Sequence, residues 1–331
     1  MEIGMKMGIA LTLRQQNLLQ SRLLSFMPTE PVSGTSGQSH DIDELMRTVL
    51  AKPWRRTSVD NETEADIRKK VTSAVRQSEP IRFALPFGGY KGWRARCFPH
   101  IDWAEVFWLE YLFNFGTRIA RIYSPGVEIT LSYTGGILTW MNNLPLDAAE
   151  VYQNELSRLL LLMSSSGVRF LMEDHSQLYG DADSLIAFLE ERSERLPMPT
   201  LQERSSAARN LYPFHGQAAW TPDDPEVVQA ARRCSAMLAL DHRRNFNKFG
   251  PRIQITHIRG ASLSLHLGST RSSVAQPWVS SGYLEWDSAK SAWIERLANT
   301  DTWPADVQDI HLNHPLAKLF PTLQSVPVLA S

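Results

Sequence analysis

The sequence is poor in the features that mark several large classes of protein. Its only two cysteines, Cys97 and Cys234, are far apart in the chain and lack the spacing of a metal site. They argue against a disulfide scaffold and favour a reducing cytoplasm. The formal net charge is -1, so no basic excess is present to bind a nucleic-acid backbone or an anionic membrane surface. No apolar run approaches the roughly 20 residues of a membrane span. We therefore expect neither nucleic acid nor a membrane as a partner.

The common catalytic and cofactor-binding motifs are also missing. The chain contains no G-x-G-x-x-G, P-loop, H-E-x-x-H, G-x-S-x-G or C-x-x-C. The usual signatures of nucleotide binding, zinc binding, hydrolysis and redox chemistry are therefore absent.

The sequence does contain a regular alternation of strand and helix patterns. The predicted elements are strand 81–87, helix 102–123, strand 127–133, helix 147–163, strand 168–174 and helix 181–194. Strands that alternate with helices of this length need crossover connections. The pattern therefore predicts an α/β fold with a Rossmann-like, mostly parallel sheet flanked by helices.

The last third of the chain has a different pattern. A helical pattern runs from 222 to about 247, and the strand patterns RIQITHI, SLSLHL and SSGYLEW then follow closely. Strands joined by so few residues predict C-terminal antiparallel strands. At the other end, the Pro-, Ser- and Gly-rich stretch 28–41 predicts a mobile loop. We expect an N-terminal helical segment with this loop over 1–78 and a Rossmann-like catalytic domain over 79–331.

The first strand ends in a sequence suited to an anion. Gly88, Gly89, Tyr90 and Lys91 follow it directly, and Arg94 comes next. Ligands of open α/β sheets bind at the carboxyl ends of the strands. Glycines let backbone N–H groups approach an oxyanion, and Lys91 supplies a positive charge. The alternative interpretation is a turn with solvated basic residues.

Two other strand ends carry polar residues. Ser132–Thr134 offers hydroxyl groups on a turn, which is a common feature. Glu173–His175 offers two carboxylates and an imidazole for a metal or for proton transfer. Adjacent residues of an extended chain point in opposite directions, so these three side chains cannot all face one ligand. The alternative interpretation is an aspartate that caps the next helix.

The closing strands supply histidine and arginine. His257 shares a strand face with isoleucines, whereas His266 lies on the polar face of its strand. Either imidazole could carry a proton near neutral pH. A hydrogen-bonded core position for His257 and a solvent position for His266 are the alternatives.

The order of these segments resembles a known family. FALPFGGYK, DWAEVFWLEYL, IARIYSPGVEITLSYTGG and LDAAEVYQNEL resemble, in this order, the isonitrile (isocyanide) synthases of the pyoverdine and dityrosine biosynthesis family. The matching positions are Pro86, Phe87, Lys91, Tyr123, Pro125, Gly126, Ser132 and Gly135. Near the C-terminus, RIQITHI, SLSLHLG and Gln276-Pro277-Trp278 extend the resemblance.

The departures from the family pattern predict a divergent member. Gly92–Arg94 replaces the family's Ser-Pro-Asn, Tyr133 and Thr134 replace its aspartate, and Val279 stands where a histidine is usual. These changes put the usual substrate and product in doubt. A different enzyme that modifies an amino acid nitrogen, or a non-catalytic ligand-binding homologue, is the alternative.

The resemblance implies a specific reaction. Such enzymes convert the α-amine of an amino acid to an isonitrile, with ribulose 5-phosphate as carbon donor, in secondary metabolite or siderophore biosynthesis. The resemblance implies no cofactor and no metal. An amino acid and a sugar phosphate are then the partners, and a homodimer is possible. The resemblance implies catalytic roles for Lys91, His257 and His266. The expected substrate-binding residues are Gly88, Gly89, Tyr90, Arg94, Ser132, Tyr133, Arg252, Arg259 and Trp278.

Overall fold

A computed structural model describes most of the 331-residue chain. The described residues are 5–6, 11–26, 41–133, 135–174, 181–213, 220–244, 250–256, 263–265 and 276–330. Two β-sheets and the helices around them account for most of these residues.

The first sheet is parallel and lies at the centre of the fold. Its strands are β2 (Ile81–Pro86), β3 (Val127–Tyr133), β4 (Val168–Asp174), β5 (Ile253–Thr256) and β6 (Leu263–Ser264), in the spatial order β4-β3-β2-β5-β6. Pro86 pairs with Ser132, and Ser132 pairs with Glu173. The carboxyl ends of β2, β3 and β4 therefore align at one edge, which we call the carboxyl edge.

Helices connect the strands as the sequence pattern predicts. They are α4 (Trp103–Ala120), α5 (Gly135–Met141), α6 (Leu146–Met163), α7 (Ala182–Glu194), α8 (Leu201–Asn210) and α9 (Pro225–Arg244). Three helices precede the sheet, α1 (Leu13–Leu24), α2 (Ile42–Val49) and α3 (Asn61–Gln77). The predicted α/β class with a parallel sheet and flanking helices is confirmed.

The second sheet is mixed and packs on the other side of α4. It contains the two-residue β1 (Met5–Lys6) with β7 (Ser281–Asp287), β8 (Ala292–Ala298), β9 (Gln308–Leu312) and β10 (Ser325–Leu329); the short α10 (Pro315–Leu319) precedes β10. The order is β1-β9-β10-β7-β8, with β10 parallel to β7 and the other pairs antiparallel.

Helix α4 is buried because it lies between the two sheets. Its Phe115 packs edge-on against Phe83 of β2, with ring centroids 5.3 Å apart. On the opposite side, a Cβ on Gly282 of β7 would lie only 2.5 Å from the amide nitrogen of Ala104. A glycine is therefore required where β7 meets the start of α4.

One detail of the strand prediction is wrong. The RIQITHI and SLSLHL segments were expected to pair as antiparallel strands, but β5 and β6 are parallel to each other and to β2. Ile255 pairs with Leu263 and Thr256 with Ser264, so the ladder is only two residues long. Of the three segments expected to be antiparallel, SSGYLEW is so, because it forms β7 and pairs antiparallel with β8. A further antiparallel pair at the C-terminus is β9 with β10.

The N-terminal helices share the core of the rest of the chain. Leu19 and Leu23 of α1 and Val71 of α3 are fully buried in the same apolar cluster as Phe83 of the parallel sheet. The division at residues 78 and 79 stays a prediction. Residues 28–40 of the predicted loop lie outside the described residues.

Candidate functional site

The residues after β2 form a buried loop with unpaired backbone donors. We call Gly88–Lys91 the amide loop. The N–H of Phe87 donates to the Ser132 carbonyl at 2.9 Å, which completes the strand pairing. Among the described residues, none accepts a hydrogen bond from the four N–H groups of the amide loop, although all four residues are buried. Buried N–H groups are nearly always paired, so these donors suit an acceptor from outside the chain.

The shape of the amide loop depends on Gly89. Its φ of +72° lies in the left-handed region, and a Cβ there would lie 2.8 Å from Cδ2 of Tyr133. Both features exclude other residue types without strain. The Gly89 carbonyl accepts a hydrogen bond from Nε2 of Gln153 on α6, at 2.8 Å. The loop is thus held by β3 on one side and by α6 on the other.

The side chain of Lys91 lies inside the protein. Its Nζ is 2.8 Å from both carboxylate oxygens of Glu105, 3.3 Å from Oδ1 of Asp102 and 3.2 Å from the Pro277 carbonyl. The Tyr152 hydroxyl donates to Oε1 of Glu105 at 3.1 Å. Lys91 and Glu105 are both 0% exposed. We call Lys91, Asp102, Glu105 and Tyr152 the lysine cluster.

Two members of this cluster also start helix α4. Oδ1 of Asp102 accepts the Ala104 N–H at 2.7 Å, and the Asp102 N–H donates to Oε2 of Glu105 at 2.8 Å. This arrangement is a capping box, which satisfies free N–H groups at a helix start. The helix start therefore fixes the two carboxylates that receive the Lys91 ammonium.

Burial changes the proton affinities in the cluster. It raises the pKa of Glu105 to about 7, although Lys91 opposes the rise. Burial acts to lower the pKa of Lys91, but Asp102 and Glu105 outweigh it and this pKa is raised. Burial and the nearby Glu105 place the pKa of Tyr152 well above its usual value. The cluster thus combines a lysine that stays charged with a carboxyl group that can exchange a proton near neutral pH.

The 3-10 turn Pro277–Val279 closes over the amide loop. The Gly92 N–H donates to the Trp278 carbonyl at 2.5 Å, and Lys91 donates to the Pro277 carbonyl. A Cβ on Gly88 would lie 3.2 Å from Cδ1 of Trp278, which is 4% exposed. Two family-like segments that are far apart in the sequence therefore meet at the carboxyl edge.

The end of β3 contributes a second unpaired group. Ser132 is 3% exposed, and its Oγ has no hydrogen-bond partner within the part of the chain that the structure describes. Next to it, the Tyr133 ring packs against Gly89 and meets the Phe87 ring edge-on at 5.8 Å. Burial raises the pKa of Tyr133.

Arg252 reaches the same edge through its long side chain. Its guanidinium forms an ion pair with the carboxylate of Glu173. Arg252 directly precedes β5, and Glu173 lies on β4. Strands β3 and β2 lie between them, so the two side chains reach across these strands to form the ion pair. Because Glu173 is in register with Ser132, the guanidinium lies near the carboxyl edge.

Tyr90 and Arg94 have internal partners. The Tyr90 hydroxyl accepts a hydrogen bond from Nδ2 of Asn142 at 3.0 Å, and burial raises the pKa of Tyr90. The Arg94 guanidinium pairs with Asp301 and stacks over the Trp93 ring, 4.9 Å from its centroid.

The predicted site residues divide into three groups. The structure brings together the amide loop, Ser132, Tyr133 and Trp278, and the Arg252 guanidinium reaches their edge of the sheet. Arg94 is directed instead to the turn after β8. The third group, His175, His257, Arg259 and His266, lies outside the described residues. The roles assigned to His257, Arg259 and His266 stay predictions.

Sequence reasoning missed Asp102, Glu105 and Tyr152. The pattern Asp-x-x-Glu at 102–105, at the start of the predicted helix 102–123, is a capping-box signature that could have indicated the contact between these two side chains and the helix start. It could not show that the same carboxylates bind Lys91, because that contact depends on how the loop folds back.

The described residues offer neither a metal-binding cluster nor a membrane-spanning helix. Among them, no group of three or more His, Cys, Asp and Glu residues is arranged to hold a metal ion. No helix in the described ranges is long and apolar enough to cross a membrane.

Comparison with known proteins finds similarity in fold. No protein-family model and no curated protein sequence matches the chain. The PvcA protein of Pseudomonas aeruginosa matches 87% of this chain and 99% of its own, with a TM-score of 0.58 and 16% identity. PvcA is an isonitrile synthase of the family that the sequence motifs resemble. At this identity the match shows a shared fold.

Weaker structural matches include the tyrosyl-tRNA synthetase of Archaeoglobus fulgidus, in complex with L-tyrosine. It covers 61% of this chain and 51% of its own, with 17% identity and a TM-score of 0.32. A TM-score this low carries no argument about function.

Proposed function

We propose that the protein is an amino-acid-modifying biosynthetic enzyme of the isonitrile synthase type. It converts the α-amine of an amino acid to an isonitrile, with ribulose 5-phosphate as carbon donor, in secondary metabolite or siderophore biosynthesis. The observation that carries the proposal is the buried amide loop, whose four N–H groups lie at the carboxyl edge without an acceptor among the described residues. The order of the family-like motifs and the PvcA fold support it.

The amide loop suits an anionic part of a substrate. Backbone N–H groups that converge at a strand end bind phosphate or carboxylate oxygens. Lys91 contributes from within, because its ammonium holds Glu105 and the Pro277 carbonyl and so fixes the loop. The hydroxyl of Ser132 can donate a further hydrogen bond at the same edge.

The Arg252–Glu173 ion pair suits the amino acid. An amino acid carries an ammonium and a carboxylate, and this pair offers one partner for each charge. The α-amine must lose a proton before it attacks the ketone of ribulose 5-phosphate, and the condensation releases water. His257 or His266 is the proposed proton carrier, and Arg259 is the proposed additional anion contact.

A second candidate follows from Val279. It occupies the position of the family's histidine, in the turn that closes over the amide loop, and a Cβ on Gly92 would lie 2.9 Å from its Cα. An aliphatic side chain cannot exchange a proton. This observation favours a related enzyme that modifies the amino acid nitrogen in another way.

Mass spectrometry of reaction products tests both candidates. The purified full chain is incubated with each proteinogenic amino acid and with 13C-labelled ribulose 5-phosphate. The first candidate predicts one labelled carbon bonded to the amino acid nitrogen. Another change at that nitrogen supports the second candidate, and no turnover with any amino acid contradicts both.

A pair of glycine variants tests the role of the amide loop. Gly89→Ala places a Cβ against Tyr133, whereas Gly250→Ala has the same positive-φ strain with no atom within 4 Å of its Cβ. Each variant loses about 1 kcal/mol of stability from backbone strain. We expect turnover to fall at least tenfold in Gly89→Ala and to stay near wild type in Gly250→Ala. Equal turnover in the two variants would show that the loop does not bind substrate.

A further inference from the structure

We propose that Glu105 is a positioning residue for the amide loop and takes up a proton when an anion binds there. The inference rests on the anion site of the proposed function. It adds a group that contacts no substrate and that sets how strongly the loop binds at a given pH.

The lysine cluster holds more carboxylates than cations. Two carboxylates, Glu105 and Asp102, share the one ammonium of Lys91 in a place that water does not reach. Oδ2 of Asp102 is buried and has no hydrogen-bond partner among the described residues. With both carboxylates ionised the cluster carries an excess negative charge, which burial makes unfavourable.

The lysine cluster lies a short distance from the proposed anion site. Lys91 belongs to both, because its N–H is the last donor of the amide loop and its Nζ contacts Glu105. An anion on the loop therefore lies about 10 to 12 Å from the Glu105 carboxylate, which is the length of a lysine side chain plus a hydrogen bond at each end. At this separation and an effective dielectric constant of about 20, one added negative charge raises a carboxyl pKa by about one unit.

Within the lysine cluster, Glu105 is the group that changes its protonation. Its neighbours in the cluster are Lys91 from the loop, Asp102 from the start of α4 and Tyr152 from α6, and Cys97 lies nearby. The pKa values of Lys91 and Tyr152 are both raised from values already near 10 or above, and burial raises that of the Cys97 thiol to about 12. These three groups keep their protons at neutral pH. The pKa of Glu105, at about 7, lies where a modest added charge shifts its proton occupancy.

The consequence is a pH-dependent affinity. Because a bound anion raises the pKa of Glu105, binding is strongest when Glu105 is already protonated, and the affinity falls as pH rises through about 7. For a shift of about one unit, the affinity falls about tenfold and binding takes up about half a proton at pH 7.5.

Calorimetry with sulfate counts this proton. Sulfate is the probe because it does not titrate near neutral pH. The full chain is titrated with sulfate at pH 7.5 in buffers of different ionisation enthalpy, and the affinity is measured from pH 6 to 9. We expect an uptake of about half a proton in the wild type. In Glu105→Gln, we expect none and an affinity that no longer falls with pH.

Glu110→Gln is the matched control. Glu110 is another buried carboxylate of α4, but it pairs with Arg22, away from the amide loop. This variant should keep the proton uptake of the wild type. An uptake that persists in Glu105→Gln, or that is lost equally in Glu110→Gln, would overturn the inference.

The wild-type titration decides the question without any variant. If Glu105→Gln does not fold, absence of proton uptake in the wild type, or absence of sulfate binding, overturns the inference. The product assay is independent of this result, because turnover without proton uptake would leave the proposed function intact and remove only the role of Glu105.

Discussion

Two ion networks on α4 each join one cation to two carboxylates, but they differ in how far water reaches them. In the lysine cluster, Lys91 holds Glu105 and Asp102 with side-chain exposures of 0%, 0% and 4%. In the second network, Arg22 of α1 holds Glu110 of α4 and Glu295 of β8. The arginine is 21% exposed and Glu110 is 11% exposed. Each network joins one cation to two carboxylates, but water reaches only the second.

The two cations bind their carboxylates in different ways. Arg22 binds Glu110 through two parallel contacts of 2.5 and 2.6 Å, the fork geometry that suits a guanidinium. Lys91 is a compact charge, and it divides its donors among two carboxylates and a backbone carbonyl. The arginine network fastens α1 and β8 to α4. The lysine cluster instead joins a loop, a helix start and a turn at the carboxyl edge, the edge at which open α/β sheets generally bind ligands.

The largest expected difference between the networks is the effect of losing the cation. Lys91→Met leaves Glu105 and Asp102 in a dry site with no positive partner. We expect a loss of about 3 to 5 kcal/mol in the free energy of unfolding, measured by urea denaturation. Arg22→Met should cost at least about 1 kcal/mol less, because water can solvate Glu110 and Glu295. Equal losses would show that burial does not distinguish the two networks.

The second expected difference is the pH dependence of stability. Burial raises the pKa of Glu105 from 4.5 to about 7 in the folded state. Between these values the folded protein binds more protons than the unfolded chain, so stability falls as pH rises from about 4.5 to 7. The fall is at most about 3 kcal/mol. The raised pKa of Lys91 has no effect in this window, since lysine is protonated in both states.

Glutamine variants show which of the two networks causes this fall in stability with rising pH. Glu105→Gln should flatten the fall in unfolding free energy between pH 4.5 and 7, because the titrating carboxyl group is gone. Glu110→Gln should keep it. A slope that is unchanged in Glu105→Gln would mean that another group titrates in the folded protein.

The sequence predicts the parallel sheet better than it predicts the lysine cluster. Strands 127–133 and 168–174 have the observed limits because each is a short apolar run between turn residues. Helix α4 could be placed from its apolar spacing. The pairing of β5 with β6 was mispredicted, because their ladder is only two residues long and strand patterns do not show the direction of so short a pairing.

The role of Lys91 shows where sequence reasoning stops. A lysine after two glycines predicts a cation that faces a ligand, because lysine is usually solvated. The chain instead turns this side chain inward, where the Asp102–Glu105 capping box presents two carboxylates. Lys91 and Glu105 are 14 residues apart, so their ion pair produces no pattern that can be recognised in the local sequence. Only the fold reveals that the lysine side chain is buried and that the N–H groups of the loop lack acceptors among the described residues.

The smallest expected effect comes from Tyr152, and it separates hydrogen bonding from charge within the lysine cluster. Tyr152→Phe removes one hydrogen bond to Glu105 and leaves all the charges and most of the packing in place. We expect a loss of about 1 kcal/mol in urea denaturation, because one buried acceptor loses one of its donors while Lys91 still contacts both oxygens. The hydroxyl favours ionised Glu105, so its removal should also move the pH-dependent fall in stability slightly upward in pH. A loss as large as that of Lys91→Met would mean that the hydrogen bonds, and not the ion pair, hold the cluster together.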